Sequence, residues 1–468
     1  MTSQFGMIGL GTMGRNFLLN VTEHGFSAVG FDIDAAKRDL LLSEGVGLPV
    51  DTAPDLAEFV SKLAAPRSIM LLVPAGPIVD SVIAELTPLI AEGDLIIDGG
   101  NSHYTDTDRR MAYLAAKGIG FLGVGVSGGE EGARRGPSIM PGGPRDYYDR
   151  VEPVFQAVAA KVNGEPCVAY MGSGSAGHFV KMVHNGIEYG MMQLIAETHD
   201  YMRRALHMQN TELHRTFGEW NSGELSSFLI EITSIVLKKI DAETGRPLVE
   251  LILDTAGQKG TGKWTSQAAM DLGVPVPTID CAVTLRQISS RKQLRQQISA
   301  KYDDIHATAD LSRSRTSINE LKDGLYAAIV LTYIQGMSML QAASVERGYG
   351  LDLAEIAKIW RGGCIIRSKL LETIREAYAA NPAIETLLLD DRFSRILLSR
   401  SRSLRKAVIS FNENAIPSAC MSSALAYFDA FRSANLPANL IQAQRDYFGA
   451  HTYQRIDQEG IFHTDDWE

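Results

Sequence analysis

The chain has 468 residues, of which 45% are apolar and 21% charged; this is a globular composition, too long for one hydrophobic core, so two or three domains are expected. A formal net charge of −10 argues against a nucleic-acid partner, which needs a basic stripe, but not against a small anion held by a local cluster of Lys and Arg. Cys167, Cys281, Cys364 and Cys420 form no C-x-x-C pair, so they read as buried small hydrophobes in a reducing cytoplasm, and no metal site is expected.

The chain begins without a basic leader and enters an apolar run at 5–8, so no signal peptide is expected. Further short apolar runs at 28–31, 69–73, 95–97 and 120–124 are bounded by Gly, Pro or Asp, as buried parallel strands are. The run at 69–73 stops at Pro74, far short of a membrane span, and a cytoplasmic protein with no membrane partner is expected. Amphipathic stretches such as 15–23 and 78–91 lie between the runs, which predicts a doubly wound, Rossmann-like α/β domain over residues 1–176. The glycine-rich segment 171–177 is the clearest break in composition. Residues 177–433 carry apolar side chains at three- and four-residue spacing, for example over 321–347, and predict a large all-α domain. Residues 434–468 are polar and read as an arm that packs on something else.

Gly9-Leu10-Gly11-Thr12-Met13-Gly14 is the G-x-G-x-x-G turn between a first strand and a helix. Its glycines allow a tight turn and close approach to a pyrophosphate, and the helix start offers free N–H groups. The second strand ends at Asp32-Ile33-Asp34. An acid about twenty residues past the turn accepts from both ribose hydroxyls of NAD, and its charge opposes the 2′-phosphate of NADP. The nearest bases, Lys37 and Arg38, stand a helix turn away. NAD is therefore expected in preference to NADP.

Past the break, Val180, Val183, Ile187, Met191 and Leu194 form one apolar stripe of a helix. Lys181, His184, Asn185, Glu188 and Tyr189 fall on another arc. A solvated Lys–Glu pair is the ordinary explanation of that spacing. The added His, Asn and Tyr, and a position where the helix can face the nicotinamide across an interdomain cleft, favour a catalytic face. Gly257 to Lys263 matches G-x-x-x-x-G-K, but Trp264 stands where a nucleotide-binding loop needs Ser or Thr. A phosphate held by Lys259 and Thr261, with Arg286 as a fork, is the better expectation. Turns at 98–102 and 126–132 follow strand-like runs and are placed to touch a ligand.

Four segments together carry a likeness: Leu-Gly-x-Gly-Val-Ser-Gly-Gly-Glu-Glu-Gly-Ala (122–133), Lys-Met-Val-His-Asn-Gly-Ile-Glu-Tyr (181–189), Gly-Gln-Lys-Gly-Thr-Gly-Lys-Trp (257–264) and Gln-Arg-Asp-Tyr-Phe-Gly-Ala-His (444–451). In that order they resemble the decarboxylating 6-phosphogluconate dehydrogenases in their long-chain form, from the first strand to the C-terminal arm. The resemblance implies oxidative decarboxylation of 6-phospho-D-gluconate to D-ribulose 5-phosphate and CO2, a step of the pentose phosphate pathway, without a metal. It implies that Lys181 takes the C3 hydroxyl proton and that Glu188 protonates C1 of the product. Asn101, Ser127, Gly128, Gly129, His184 and Asn185 would hold the carboxylate and hydroxyls. Tyr189, Lys259, Thr261 and Arg286 would hold the phosphate. The implied assembly is a homodimer in which Arg445 and His451 reach the neighbouring site. Val73 and Asn101 would join the glycine turn and residues 32–34 around the cofactor.

The chain departs from the commoner family pattern at the cofactor. Many NADP-using members have Ala where this chain has Gly11, and an Asn-Arg-Thr triplet where it has Asp32-Ile33-Asp34. Two rival readings are a related β-hydroxyacid dehydrogenase acting on another C6 acid and an inactive NAD-sensing scaffold. The phosphate set speaks against the first and the complete Lys181, Asn185 and Glu188 set against the second.

Overall fold

Buried on both faces, the short apolar runs of the N-terminal part pair as one sheet in the computed structural model, which describes residues 2–302 and 316–467. In chain order the elements are β1 (Phe5–Ile8), α1 (Thr12–Glu23), β2 (Ala28–Phe31), α2 (Ala35–Glu44), β3 (Val50–Thr52), α3 (Leu56–Ser61), β4 (Ser68–Leu71), α4 (Pro77–Leu86), β5 (Leu95–Asp98) and α5 (Tyr104–Ala115). They continue with β6 (Gly120–Ser127), α6 (Gly129–Arg135), β7 (Ser138–Gly142), α7 (Arg145–Val158) and a ribbon of β8 (Lys161–Val162) and β9 (Glu165–Pro166). The sheet order is β3-β2-β1-β4-β5-β6-β7, parallel up to β6, with β7 antiparallel to β6. The order reverses between β1 and β4, so a crevice opens beyond their carboxyl ends. One apolar cluster fills each face of the sheet. The Rossmann-like reading holds.

Three elements differ from expectation. The helix foreseen over 78–91 ends at Leu86, with Thr87 still in helical backbone as its cap, because Pro88 has no N–H to continue the ladder to the Ala84 carbonyl. β3 is a partly exposed edge strand reading Val-Asp-Thr, with no apolar run to reveal it. β7 contains Pro141, which argues against a strand in sequence. It is tolerated because the residue needs only an acceptor there: its carbonyl accepts from the Met171 N–H.

α8 (Ala176–Arg204) starts at the glycine-rich break and is buried along most of its length. It packs on β6 and β7 and also runs through the helical part, so it joins the two. Around it lie α9 (Asn210–Asn221), α10 (Phe228–Lys238), α11 (Thr261–Asp271), α12 (Pro277–Ser289), α13 (Lys292–Lys301), α14 (Ile318–Glu346), α15 (Leu353–Ile359), α16 (Leu370–Ala380), α17 (Asp391–Glu413) and α18 (Ala419–Phe431). Among the described residues no strand follows α8, and a single large apolar cluster binds the helices. α14 is the one described helix long and apolar enough to cross a membrane. It opens with a Ser317–Glu320 capping box and packs against α8 and α17. Among its described residues the arm contains one helix, α19 (Ala438–Gly449), which exposes Leu440, Ile441 and Phe448. Cys167, Cys364 and Cys420 are buried as expected, whereas Cys281 is only half-buried.

Candidate active site

The glycine turn sits at the carboxyl end of β1, on the crevice. Gly9 takes φ +94°, and a Cβ on Gly14 would lie 1.8 Å from the Gly9 carbonyl oxygen, so α1 and β1 meet only because residue 14 has no side chain. The first turn of α1, with Thr12 and Met13, has no side-chain cap, and the space at Gly11 is open. Uncapped N–H groups at a helix start fit a pyrophosphate. Val73 borders Gly9 from the end of β4.

Asp32 is buried and already occupied: its carboxylate accepts from the Leu10 N–H at 2.8 Å and the Asp34 N–H at 3.0 Å. Asp34 caps α2 through the Ala36 N–H, and Ile33 is 91% exposed. The bases expected to stand apart do not. Lys37 Nζ lies 3.5 Å from both Asp32 carboxylate oxygens, and the Arg38 guanidinium donates to the Asp32 carbonyl. The first turn of α2 folds back over the end of β2, so residues five and six positions on return to it.

The Asn101 turn is held from below. Asp98, fully buried at the end of β5, accepts from the Gly100 N–H, the Ser102 hydroxyl at 2.6 Å and Arg110 Nη1 at 3.2 Å. Arg110 also bridges to Asp80 and the Gly76 carbonyl. His178 Nε2–H donates to the Asp98 carbonyl at 3.0 Å and Nδ1 accepts from Thr107 at 2.6 Å; burial lowers its pKa and keeps it neutral. Asn101 itself is exposed. Sequence reasoning missed Arg110 and His178, whose spacing gives no sign of this network.

On α8, Lys181 (6% exposed), His184 and Asn185 are buried, and Glu188 is partly open. Lys181 lies directly against β6, where a Cβ on Gly125 would fall 2.4 Å from its own Cβ. His184 Nδ1–H donates to Asn185 Oδ1 at 3.1 Å, leaving Nε2 to accept from the Ser127 hydroxyl at 3.3 Å. Burial, with the Lys181 charge second, drives the His184 pKa far down, so the ring is a neutral hydrogen-bonding group. Burial likewise lowers the Lys181 ammonium, against an opposing pull from Glu188. Burial raises the Glu188 carboxyl, against Lys181 and Arg286. One helix face thus pairs an amine biased toward neutrality with a carboxyl biased toward protonation, the polarisation that general acid–base work requires.

The segment from Trp360 to Cys364, part of the stretch expected to be helical, also lines this face. The Trp360 ring meets His184 edge-on at 5.5 Å. The Gly363 carbonyl accepts from the Ser138 N–H and sits against Gly128, fixing the turn that carries Ser127, Gly128 and Gly129. Burial pushes the Cys364 thiol up to about 12, so it stays neutral.

Next to Glu188 in the chain, the Tyr189 ring carries the Arg286 guanidinium of α12 stacked over it at 4.0 Å, and that guanidinium donates to the Gly257 carbonyl at 2.8 Å. The same loop leads through Gly260, in the left-handed conformation, into buried Thr261 at an uncapped start of α11. Lys259 is exposed beside it. Arg445 and His451 are exposed on the arm, where Arg445 bonds to Gln442 and His451 packs on Phe448. The chain on its own does not bring them to the cluster on α8.

The model of the 6-phosphogluconate dehydrogenase C-terminal domain matches residues 177–467, and that of the NAD binding domain of 6-phosphogluconate dehydrogenase matches residues 4–172. The chain belongs to the 6-phosphogluconate dehydrogenase family. It is 49% identical over 462 residues to the NADP(+)-dependent decarboxylating 6-phosphogluconate dehydrogenase of Bacillus subtilis, covering 99% of this chain and 98% of that protein. It is also 49% identical to the decarboxylating 6-phosphogluconate dehydrogenase of Synechococcus elongatus, covering 98% of each. The Plasmodium falciparum 6-phosphogluconate dehydrogenase, solved apo, with NADP+ and with 6-phosphogluconate, superposes with a TM-score of 0.95 at 43% identity over 98% of this chain and 99% of that one. These matches speak for a decarboxylating 6-phosphogluconate dehydrogenase and against the two rival readings.

The contact between β6 and α8 makes a sharp test of placement. In Gly125→Ala the new methyl must displace the Lys181 stem. A shift of about 1 Å at a reacting group costs on the order of 100-fold, so kcat should fall by about that factor while the cofactor KM stays near wild type. A kcat within threefold of wild type would show that the amine does not depend on this contact.

Proposed function

We propose that this chain oxidatively decarboxylates 6-phospho-D-gluconate to D-ribulose 5-phosphate and CO2. The observation that supports it most is the single face of α8 on which Lys181, His184, Asn185 and Glu188 lie between the Ser127 turn and the Tyr189–Arg286 stack. In this reading residues 1–176 bind the dinucleotide, 177–433 supply the substrate and dimer surfaces, and 434–468 form an arm of a homodimer. Arg445 and His451 then complete the partner's site, which agrees with their exposure and with the uncovered apolar residues of α19.

Asn101, Ser127, Gly128, Gly129, His184 and Asn185 hold the carboxylate and hydroxyls. Tyr189, Lys259, Thr261 and Arg286 hold the phosphate, with Arg445 from the neighbour, whose His451 also contacts the substrate. Neutral Lys181 accepts the C3 hydroxyl proton; the bound nicotinamide supplies the hydride acceptor for C3. The 3-keto acid then loses CO2 as its C1–C2 bond breaks, and protonated Lys181 returns its proton to the C3 oxygen, giving an enediol. Glu188 protonates the old C2, now C1 of the product, while Lys181 takes back the hydroxyl proton to leave the ketone. The ammonium polarises the carbonyl during CO2 loss, so the residues present account for each proton without a metal. Purified protein mixed with 6-phosphogluconate and cofactor should release CO2 and ribulose 5-phosphate in equal amounts; no turnover with either nicotinamide nucleotide overturns the assignment.

The finer reading is a preference for NAD, against the cofactor named for two relatives. It rests on Asp32 and on exposed Ile33 standing where an Arg would grip a 2′-phosphate. Two unit charges about 4 Å apart near a surface repel by roughly 4 kcal/mol, and Lys37 and Arg38 offset part of this. An advantage of at least about tenfold in kcat/KM for NAD remains, equivalent to about 1.4 kcal/mol. Restoring the common triplet by Asp32→Asn, Ile33→Arg and Asp34→Thr should reverse it. A wild-type preference for NADP in the same assay rejects the Asp32 argument.

A further inference from the structure

The arm looks like loose chain in composition, yet its turn is tightly built. Asp446 is fully buried although most residues around it are exposed. One of its carboxylate oxygens accepts from the Thr452 N–H at 2.9 Å and from His463 Nδ1–H at 2.9 Å; the other accepts from the Thr464 N–H at 3.0 Å. Its backbone carbonyl accepts from the Ala450 N–H at 2.9 Å. Gln442 Nε2 donates to the Thr452 carbonyl at 2.6 Å, and Tyr453 pairs with Phe462 by two N–H···O bonds of 2.8 Å.

This clamp encloses a backbone that would not hold itself. Ala450 has φ +47° and Thr452 φ +60°, left-handed values that are unfavourable for side chains with a Cβ and most so for a β-branched residue. His451 lies between them. Two departures of that kind flanking a single residue persist only where the surroundings over-determine them, and here the surroundings are Asp446 and the groups it gathers. Asp446 holds the backbone on both sides of His451, the Ala450 N–H through its carbonyl and the Thr452 N–H through its carboxylate.

We propose that Asp446, supported by His463, is the positioning residue that presents His451 to the substrate in the neighbouring subunit's site. The proposal rests on the shared-site reading above and adds to it the residues through which the arm acts. Neither Asp446 nor His463 touches substrate in this scheme. His463 Nε2 faces the exposed Asp465 at 3.0 Å, so its ring bridges two carboxylates and stays on Asp446.

The test uses the full-length dimer, with association checked by light scattering. In Asp446→Asn one acceptor becomes a donor, and the KM for 6-phosphogluconate should rise at least tenfold while the cofactor KM stays within twofold. In a His451→Ala background the same change should add less than twofold, because its effect passes through His451. His463→Leu should raise KM, and His463→Asn, which keeps a donor near the Nδ1 position, should recover most of that loss. Multiplying effects of Asp446→Asn and His451→Ala, or an unchanged KM in Asp446→Asn, overturns the proposal. Should Asp446→Asn fail to dimerise, the His463 pair decides: equal KM values for Leu and Asn overturn it. Failure of the shared-site reading is recognised separately. Mixed dimers of Lys181→Met and His451→Ala chains regain activity only if His451 crosses the interface, whatever Asp446 does.

Discussion

Lys181→Met is expected to lower kcat by at least about 1,000-fold, within the range by which a positioned general base accelerates proton transfer, while 6-phosphogluconate still binds within a few-fold of wild type. The amine is asked to do two jobs, taking the C3 hydroxyl proton and returning it to the carbonyl oxygen as CO2 leaves, and methionine can do neither. Methionine keeps the length and apolar stem that pack against β6, so the site should not collapse. Burial of the ammonium already disfavours the charged form. Removing a poorly paired buried amine therefore should not destabilise the fold, and the melting temperature should stay level or rise, as it often does when a functional group is deleted. Single-turnover absorbance of the reduced nicotinamide is the deciding measurement. A fast burst in the variant, or a kcat within tenfold of wild type, removes Lys181 from the role of base.

What could be read in sequence follows from what leaves a periodic or compositional trace. β1, β2, β4, β5 and β6 are short apolar runs buried on both faces, and each was visible. The G-x-G-x-x-G turn was visible because glycines there are demanded by close contacts, as at Gly14. The arc on α8 was visible because helical geometry alone places residues 181, 184, 185 and 188 together. Features created by tertiary folding left no such trace. The return of Lys37 and Arg38 to Asp32 depends on how α2 leaves β2. The lining by Trp360 and Gly363 depends on contacts with His184 and Gly128, residues far away in the chain. Arg110 and His178 serve through Asp98, a residue noticed only for its glycine-rich turn. The arm was legible as an outlier in composition, but the clamp at Asp446 joins residues 452, 463 and 464 across a loop that no short window spans.

Glu188→Gln should leave the first half of the reaction and slow the second. Gln keeps the size and a hydrogen-bonding end but cannot give up a proton, so ketonisation of the enediol loses its acid, a cost of about 100-fold or more. Hydride transfer needs only Lys181, and a full-amplitude burst of reduced cofactor should precede a slow steady state; in Lys181→Met the burst itself disappears. The pH profile gives an independent sign. Burial raises the Glu188 pKa, so the protonated acid persists above the ordinary carboxylate range, and wild-type kcat declines as pH rises through the raised value. Burial lowers the Lys181 pKa, so the neutral base is lost as pH falls through the lowered value. The active form, neutral amine with protonated carboxyl, therefore has a bell-shaped profile. Glu188→Gln should remove the alkaline limb and keep the acid one. An alkaline limb that survives the substitution would assign the final proton to another group, and loss of the burst would place Glu188 before hydride transfer instead of after it.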